Sequence, residues 1–174
     1  MTEIRKRLRI LWIGRGGDSE YISRPLILHH DIEFWDDIAS FLQFFTDAEP
    51  YDRVVLSLPL SIRLKDYLLE EHDKRIIAWI KLEKRLEKPI RRKKVSCWSF
   101  ELEFLKAILG RDDASLPLSV RPRISPNQVY LYTPMAKDAE FLRTLKEIGI
   151  THVLDTGTDD IVSILKALDD KAAP

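Results

Sequence analysis

Between Gln128 and Leu168 the chain reads as strand, helix, strand, helix, and this order constrains its fold more than any other feature. Gln128 to Thr133 (Gln-Val-Tyr-Leu-Tyr-Thr) is a short apolar run closed by Pro134. Ala136 to Ile148 then places Phe141, Leu142, Leu145 and Ile148 on one helical face. Gly149 stops that helix, because a left-handed cap costs a residue without Cβ almost nothing. Thr151 to Asp155 returns as a second buried strand. Thr158 is expected to cap a last helix, with Asp159 and Asp160 in its first turn at the positive end of the dipole and Ile161, Val162, Leu165 and Leu168 as its apolar face. The product is a β-α-β-α unit, which belongs to the α/β class.

The front of the chain supplies further strands. Leu8 to Ile13 is a near-continuous apolar run ending at Gly14, as expected of a strand covered on both faces. Pro25 to Ile32 reads as another strand, which leaves few residues for a helix before it. Glu33 to Thr46 places Phe34, Ile38, Phe41, Leu42 and Phe45 on one helical face. Arg53 to Leu58 is a third strand, within Pro50-Tyr51-Asp52-Arg53-Val54-Val55-Leu56-Ser57-Leu58-Pro59. His29 and His30 fall at the end of the Pro25–Ile32 run, near the expected carboxyl edge. Adjacent strand residues face opposite ways, so the two histidines read as structural or surface residues rather than as ligands of one metal.

The stretch ending in Ser57 and the strand ending in Thr133 together resemble a bacterial response-regulator receiver domain, over roughly residues 8 to 60 and 127 to 168. The resemblance implies a flavodoxin-like (CheY-like) three-layer sandwich with a mostly parallel five-stranded sheet. It also implies a chemistry that this chain has lost. Phosphotransfer in that family needs a carboxylate nucleophile, a magnesium ion held by carboxylates after the first strand, a hydroxyl and a lysine. Here Ser57 stands at the nucleophile, Gly14 and Arg15 at the magnesium carboxylates, and Thr156 at the lysine, while the hydroxyl of Thr133 matches. Serine without an adjacent base is a poor nucleophile, so aspartyl phosphorylation is not expected. Such pseudo-receivers occur as stand-alone adaptors and at the front of partition-type pilus and secretion ATPases.

Residues 61 to 126 exceed what a receiver places between its third and fourth strands, and read as a largely helical insertion within a single domain spanning 1 to 174. Lys65 to Glu87 is rich in helix formers, with Arg75 to Leu82 open to a strand reading. Ser99 is expected to cap a helix from Phe100 to Leu109 with Leu102, Leu105 and Leu109 as its stripe, ended by Gly110. Trp79, Trp98, Phe100 and Phe104 read as core residues, with a protein-recognition role as the alternative. Lys84, Arg85, Lys88, Arg91, Arg92, Lys93 and Lys94 form a basic run, which is either a solvated surface or a phosphate-contacting patch.

Global charge excludes one class of explanation. Lysine plus arginine number 28 and aspartate plus glutamate 28, so no overall field draws the chain to nucleic acid or acidic lipid. The single cysteine, Cys97, rules out an internal disulfide and fits a reducing cytoplasm. The apolar run from Ile10 to Ile13 is too short for a membrane span. No nucleophile-base pair, metal set or cofactor motif is present, so a non-enzymatic role without cofactor is expected.

Three functional readings follow. The first is a pseudo-receiver that docks a protein partner, with a homodimer through the 136 to 168 face, where Lys137, Asp138, Glu140, Arg143 and Lys146 can pair across a two-fold axis. The second is a sensor that holds an anionic or nucleotide-like ligand at the carboxyl ends of the strands, near Gly14, Arg15, Gly16, Gly17, Ser57, Thr133 and Thr156. Nucleic-acid binding through residues 84 to 94 ranks third.

Overall fold

The computed structural model describes residues 6–14, 20–35, 38, 41, 50–58, 60, 74–87, 99–116, 118 and 124–170. Five strands, β1 (Arg9–Ile13), β2 (Asp31–Trp35), β3 (Arg53–Ser57), β4 (Val129–Thr133) and β5 (His152–Asp155), make one sheet. All four pairings are parallel and the order is β2-β1-β3-β4-β5, the flavodoxin-like arrangement.

The central strands are mostly apolar because they feed a core on either side. Leu11, Ile13, Val54, Leu56, Val129 and Leu131 point to one layer, and Ile10, Trp12, Val55, Tyr130 and Tyr132 to the other. The first layer contains α2 (Lys74–Glu87), α3 (Ser99–Ile108) and α4 (Ala139–Glu147), with buried Ile38 and Phe41. The second contains α1 (Glu20–His29) and α5 (Ile161–Asp169).

The first correction concerns residues 25 to 32. Pro25 to His29 belongs to α1 and not to a strand, and β2 begins only at Asp31. A four-residue apolar run fits either element. The burial pattern decides it: Leu26 is wholly buried while Ile27 and Leu28 are 52% and 75% exposed, one face of a helix rather than a two-sided strand. Pro25 costs this helix one internal hydrogen bond without ending it. The connection after β1 therefore does hold a helix, as the doubly wound arrangement requires. Phe34, expected on a helix, is a strand residue with its ring 6.1 Å from that of Trp12. Ile38 and Phe41 are helical and buried as expected, and residues 36–37, 39–40 and 42–49 lie outside the described residues.

The last unit matches the sequence closely, with one shift. Gly149 has φ +88°, its N–H donates to Lys146 O, and Ile150 N–H donates to Leu145 O, which closes α4 with a left-handed glycine cap. The cap of α5 is Asp160 rather than Thr158: its Oδ1 accepts the Ser163 N–H at 2.9 Å. Ile164 and Leu168 face the core, and Val162, expected there, is 68% exposed.

In the long β3–β4 connection, Arg75 to Leu82 is helical, within α2. Trp79 packs edge-on against Phe100 and Phe104 of α3, with centroids 6.0 and 5.5 Å apart, and Phe104 meets Phe41 at 5.7 Å. Each such pair adds about 0.5–1.5 kcal/mol beyond its buried area. Trp79, Phe100 and Phe104 are therefore core residues as expected, while Trp98 lies outside the described residues.

Candidate functional site

In an open parallel sheet, ligands bind beyond the carboxyl ends of the strands at the point where strand order reverses, here between β1 and β3. Gly14 ends β1 with φ +103°, and a Cβ built on it would meet the Ser57 carbonyl oxygen at 2.4 Å and Leu60 Cδ2 at 3.2 Å. Glycine is thus required at 14 for the close approach of two strand ends. Its N–H donates to Trp35 O at 2.8 Å. Arg15, Gly16 and Gly17 lie outside the described residues.

Ser57, the last residue of β3, is 5% exposed and pairs across from Tyr132. Leu58 N–H donates to Tyr132 O, and Leu60 N–H donates to Oε1 of Glu101 at 3.2 Å. Thr133 is fully buried, and its Oγ1 accepts the Met135 N–H at 3.0 Å. Thr156 N–H donates to Thr133 O. The structure therefore brings Gly14 to Ser57 and Thr133 to Thr156 as the tips of neighbouring parallel strands, as the sequence predicts.

Two carboxyl groups at this edge are not among the site residues expected from the sequence, where Glu101 reads as a solvated acid and Asp155 as the end of a strand. Glu101, on α3, is 3% exposed, and only its place between Phe100 and Leu102 in an apolar stretch hinted at a buried role. Asp155 ends β5 across from Thr133. Its Oδ1 accepts the Gly157 N–H at 2.8 Å and Lys137 Nζ lies 3.5 Å from Oδ2. The Gly157 N–H first, then the Thr158 and Lys137 partners, hold this carboxyl below the usual range. Asp159 Oδ2 accepts the Asp155 N–H. Burial first, then Asp159 and Asp155, pushes the Tyr132 hydroxyl up. The Asp-Thr-Gly order of 155 to 157 is a side-chain turn signature that could have located this corner. Beside Thr156 this corner holds two acids, Asp155 and Asp159, with the exposed Lys137 against the first.

The opposite, amino edge holds a second polar assembly. Asp52 Oδ2 accepts the Arg9 N–H at 2.8 Å, and Gln128 Nε2 donates to Asp52 O. Tyr51 donates to Glu33 at 2.6 Å, with Arg9 over its ring; burial first, then Glu33, pushes its hydroxyl up. Arg7 donates to the carbonyls of Ile27, Leu28 and His30, closing the end of α1. His29 and His30 also belong here, at the end of α1 and in the turn before β2, and not at the carboxyl edge; His30 is buried with Nε2 3.5 Å from Asp169 Oδ1. His152, at the start of β5, stacks on Tyr130 with centroids 4.3 Å apart.

Of the basic run, Lys84 and Arg85 are exposed near the end of α2, and Lys88, Arg91, Arg92, Lys93 and Lys94 lie outside the described residues. Among the described residues no group of three or more His, Cys, Asp or Glu side chains is placed to hold a metal. None of the described helices is long and apolar enough to cross a membrane. Set against family models, curated proteins and solved structures, the chain finds no match, and the fold and its strand tips stand as the observations from which function is argued.

Proposed function

We propose that this chain is a non-catalytic receiver-like domain, a cytoplasmic signalling module that docks another protein without aspartyl phosphorylation. One observation supports it above the rest: among the described residues, the polar groups at the β4 and β5 tips are committed to their own chain and Ser57 is buried. Ser57 is buried against Tyr132 and Gly14, the Thr133 hydroxyl accepts from Met135, and Asp155 accepts from Gly157 at the β5 tip. A nucleophile needs a base and an open approach; Ser57 is 5% exposed, and among the described residues no side chain is hydrogen-bonded to it as a base.

The surface we assign to docking is the 136 to 168 face. On α4, Glu140, Arg143, Lys146 and Glu147 are exposed and carry both signs, with Lys137 and Asp138 just before the helix. A mixed patch of this kind is self-complementary about a two-fold axis, and its charges set register and partner choice more than affinity. A homodimer is the simplest occupant.

Two measurements test this reading. Incubation with acetyl phosphate and magnesium is expected to leave the intact mass unchanged, and a hydroxylamine-labile acyl-phosphate adduct would overturn the non-catalytic reading. Sedimentation velocity over a concentration series is expected to show a dimer that Arg143→Glu with Lys146→Glu weakens at least about tenfold. A wild-type chain that stays monomeric throughout would remove the homodimer.

A further inference from the structure

We propose that Glu101 closes the crevice between the β1 and β3 tips from within, its carboxyl oxygen standing where an external anion would be received. An anion arriving beyond a strand end is held by backbone N–H groups. After β3 the chain offers three positions. Leu58 N–H donates to Tyr132 O, Pro59 has no N–H, and Leu60 N–H donates to Glu101 Oε1. The first backbone donor past the β3 ladder is therefore committed to a side chain of α3.

Leu60 also stands against the end of β1. Leu60 Cδ2 lies 3.2 Å from the position a Cβ on Gly14 would take. Glu101 itself is 3% exposed, and Phe100, Leu102, Phe104 and Leu105 around it on α3 are buried in the core. A carboxyl group in such a setting needs a hydrogen-bond donor, and Leu60 N–H is one. α3 lies in the connection between β3 and β4, so this long segment supplies an internal ligand at the edge where Ser57 replaces the phosphoacceptor. The contact is autoinhibitory toward small anions and leaves the β3 tip in one state.

The full-length chain tests this with inorganic phosphate as the probe, against chloride at equal ionic strength. In wild type, the Leu60 amide resonance is expected not to move with phosphate, and its hydrogen exchange to be slowed at least about a hundredfold relative to unprotected amides. Glu101→Gln keeps the acceptor oxygen and is expected to behave like wild type. Glu101→Ala is expected to show a saturable, phosphate-specific movement of the Leu60 resonance. Phosphate binding at Leu60 in wild type, or a folded Glu101→Ala chain without any response, overturns the proposal. If the alanine variant does not fold, a Leu60 amide that exchanges like an unprotected one in wild type or Glu101→Gln overturns it equally. The docking reading would survive any of these results, since it does not require the tip to be filled by Glu101.

Discussion

The two edges of the sheet are built on different principles. At the amino edge, hydrogen bonds join residues far apart in sequence: Asp52 to Arg9, Tyr51 to Glu33, Gln128 to Asp52, Arg7 to the end of α1. At the β4–β5 side of the carboxyl edge the side-chain bonds to backbone N–H groups run within single turns, Thr133 with Met135, Asp138 with Phe141, Asp155 with Gly157 and Asp160 with Ser163, and a backbone bond from Thr156 to Thr133 joins the two tips. Long-range bonds fix strands in place, whereas bonds within a turn shape a loop and leave it separable from its neighbours. In a fold that ordinarily puts its chemistry at the carboxyl edge, most of the long-range side-chain hydrogen bonds among the described residues lie at the amino edge.

The largest effect is expected from Asp52→Ala. The carboxyl of Asp52 accepts from β1 while its backbone N–H donates to Arg9 O and its carbonyl accepts from Gln128 and Arg53. Removing a hydrogen bond made by such a group costs about 2 kcal/mol, read as a lower urea midpoint at unchanged slope. A loss below about 0.5 kcal/mol would mean that the amino edge does not fasten the strands, and the contrast would fail.

His152 gives an intermediate test by pH. Burial first, then the nearby Arg53, lowers its pKa below the ordinary 6.5. The unfolded chain therefore binds the proton more readily, so the contribution is fully present above pH 6.5 and is lost as pH falls through the folded value. His152→Phe retains a ring against Tyr130 and removes the titration, so between pH 7.5 and 5.5 the wild type is expected to lose more stability than the variant. Parallel stability profiles over that interval would break the assignment. The depressed carboxyls, Asp155 by Gly157 and Asp160 by Ser163, act in a separate window, where stability falls below about pH 3.8.

Much of this plan was legible in the sequence because its cues were local. Gly149, the Val129–Thr133 run and the Phe141–Leu145 spacing each state one element without reference to the rest. The reading failed at Pro25 to Ile32, where four apolar residues suit either element and only the packing of Leu26 under the sheet decides between them. At the tips, Ser57, Thr133 and Thr156 were placed by strand order. Glu101 was not, because what makes it matter is contact with Leu60, 41 residues earlier, and spacing carries no trace of such a meeting. Asp155 was passed over for its neighbour Thr156, although the register sets Asp155 against Thr133.

Lys137→Ala is the smallest of the changes and the sharpest check on the β4–β5 side of the carboxyl edge. The ammonium lies 3.5 Å from Asp155 Oδ2, but the lysine side chain is 80% exposed, so solvent screens the pair and side-chain entropy opposes it. Asp155 keeps its bond from the Gly157 N–H without the lysine. The variant should therefore lose no more than about 0.5 kcal/mol, with little dependence on salt. A loss above about 1.5 kcal/mol would show that Lys137 couples the loop after β4 to the loop after β5. The β4–β5 side of the carboxyl edge would then be a connected assembly like the amino one, and the view of its loops as locally closed and separable would have to be given up.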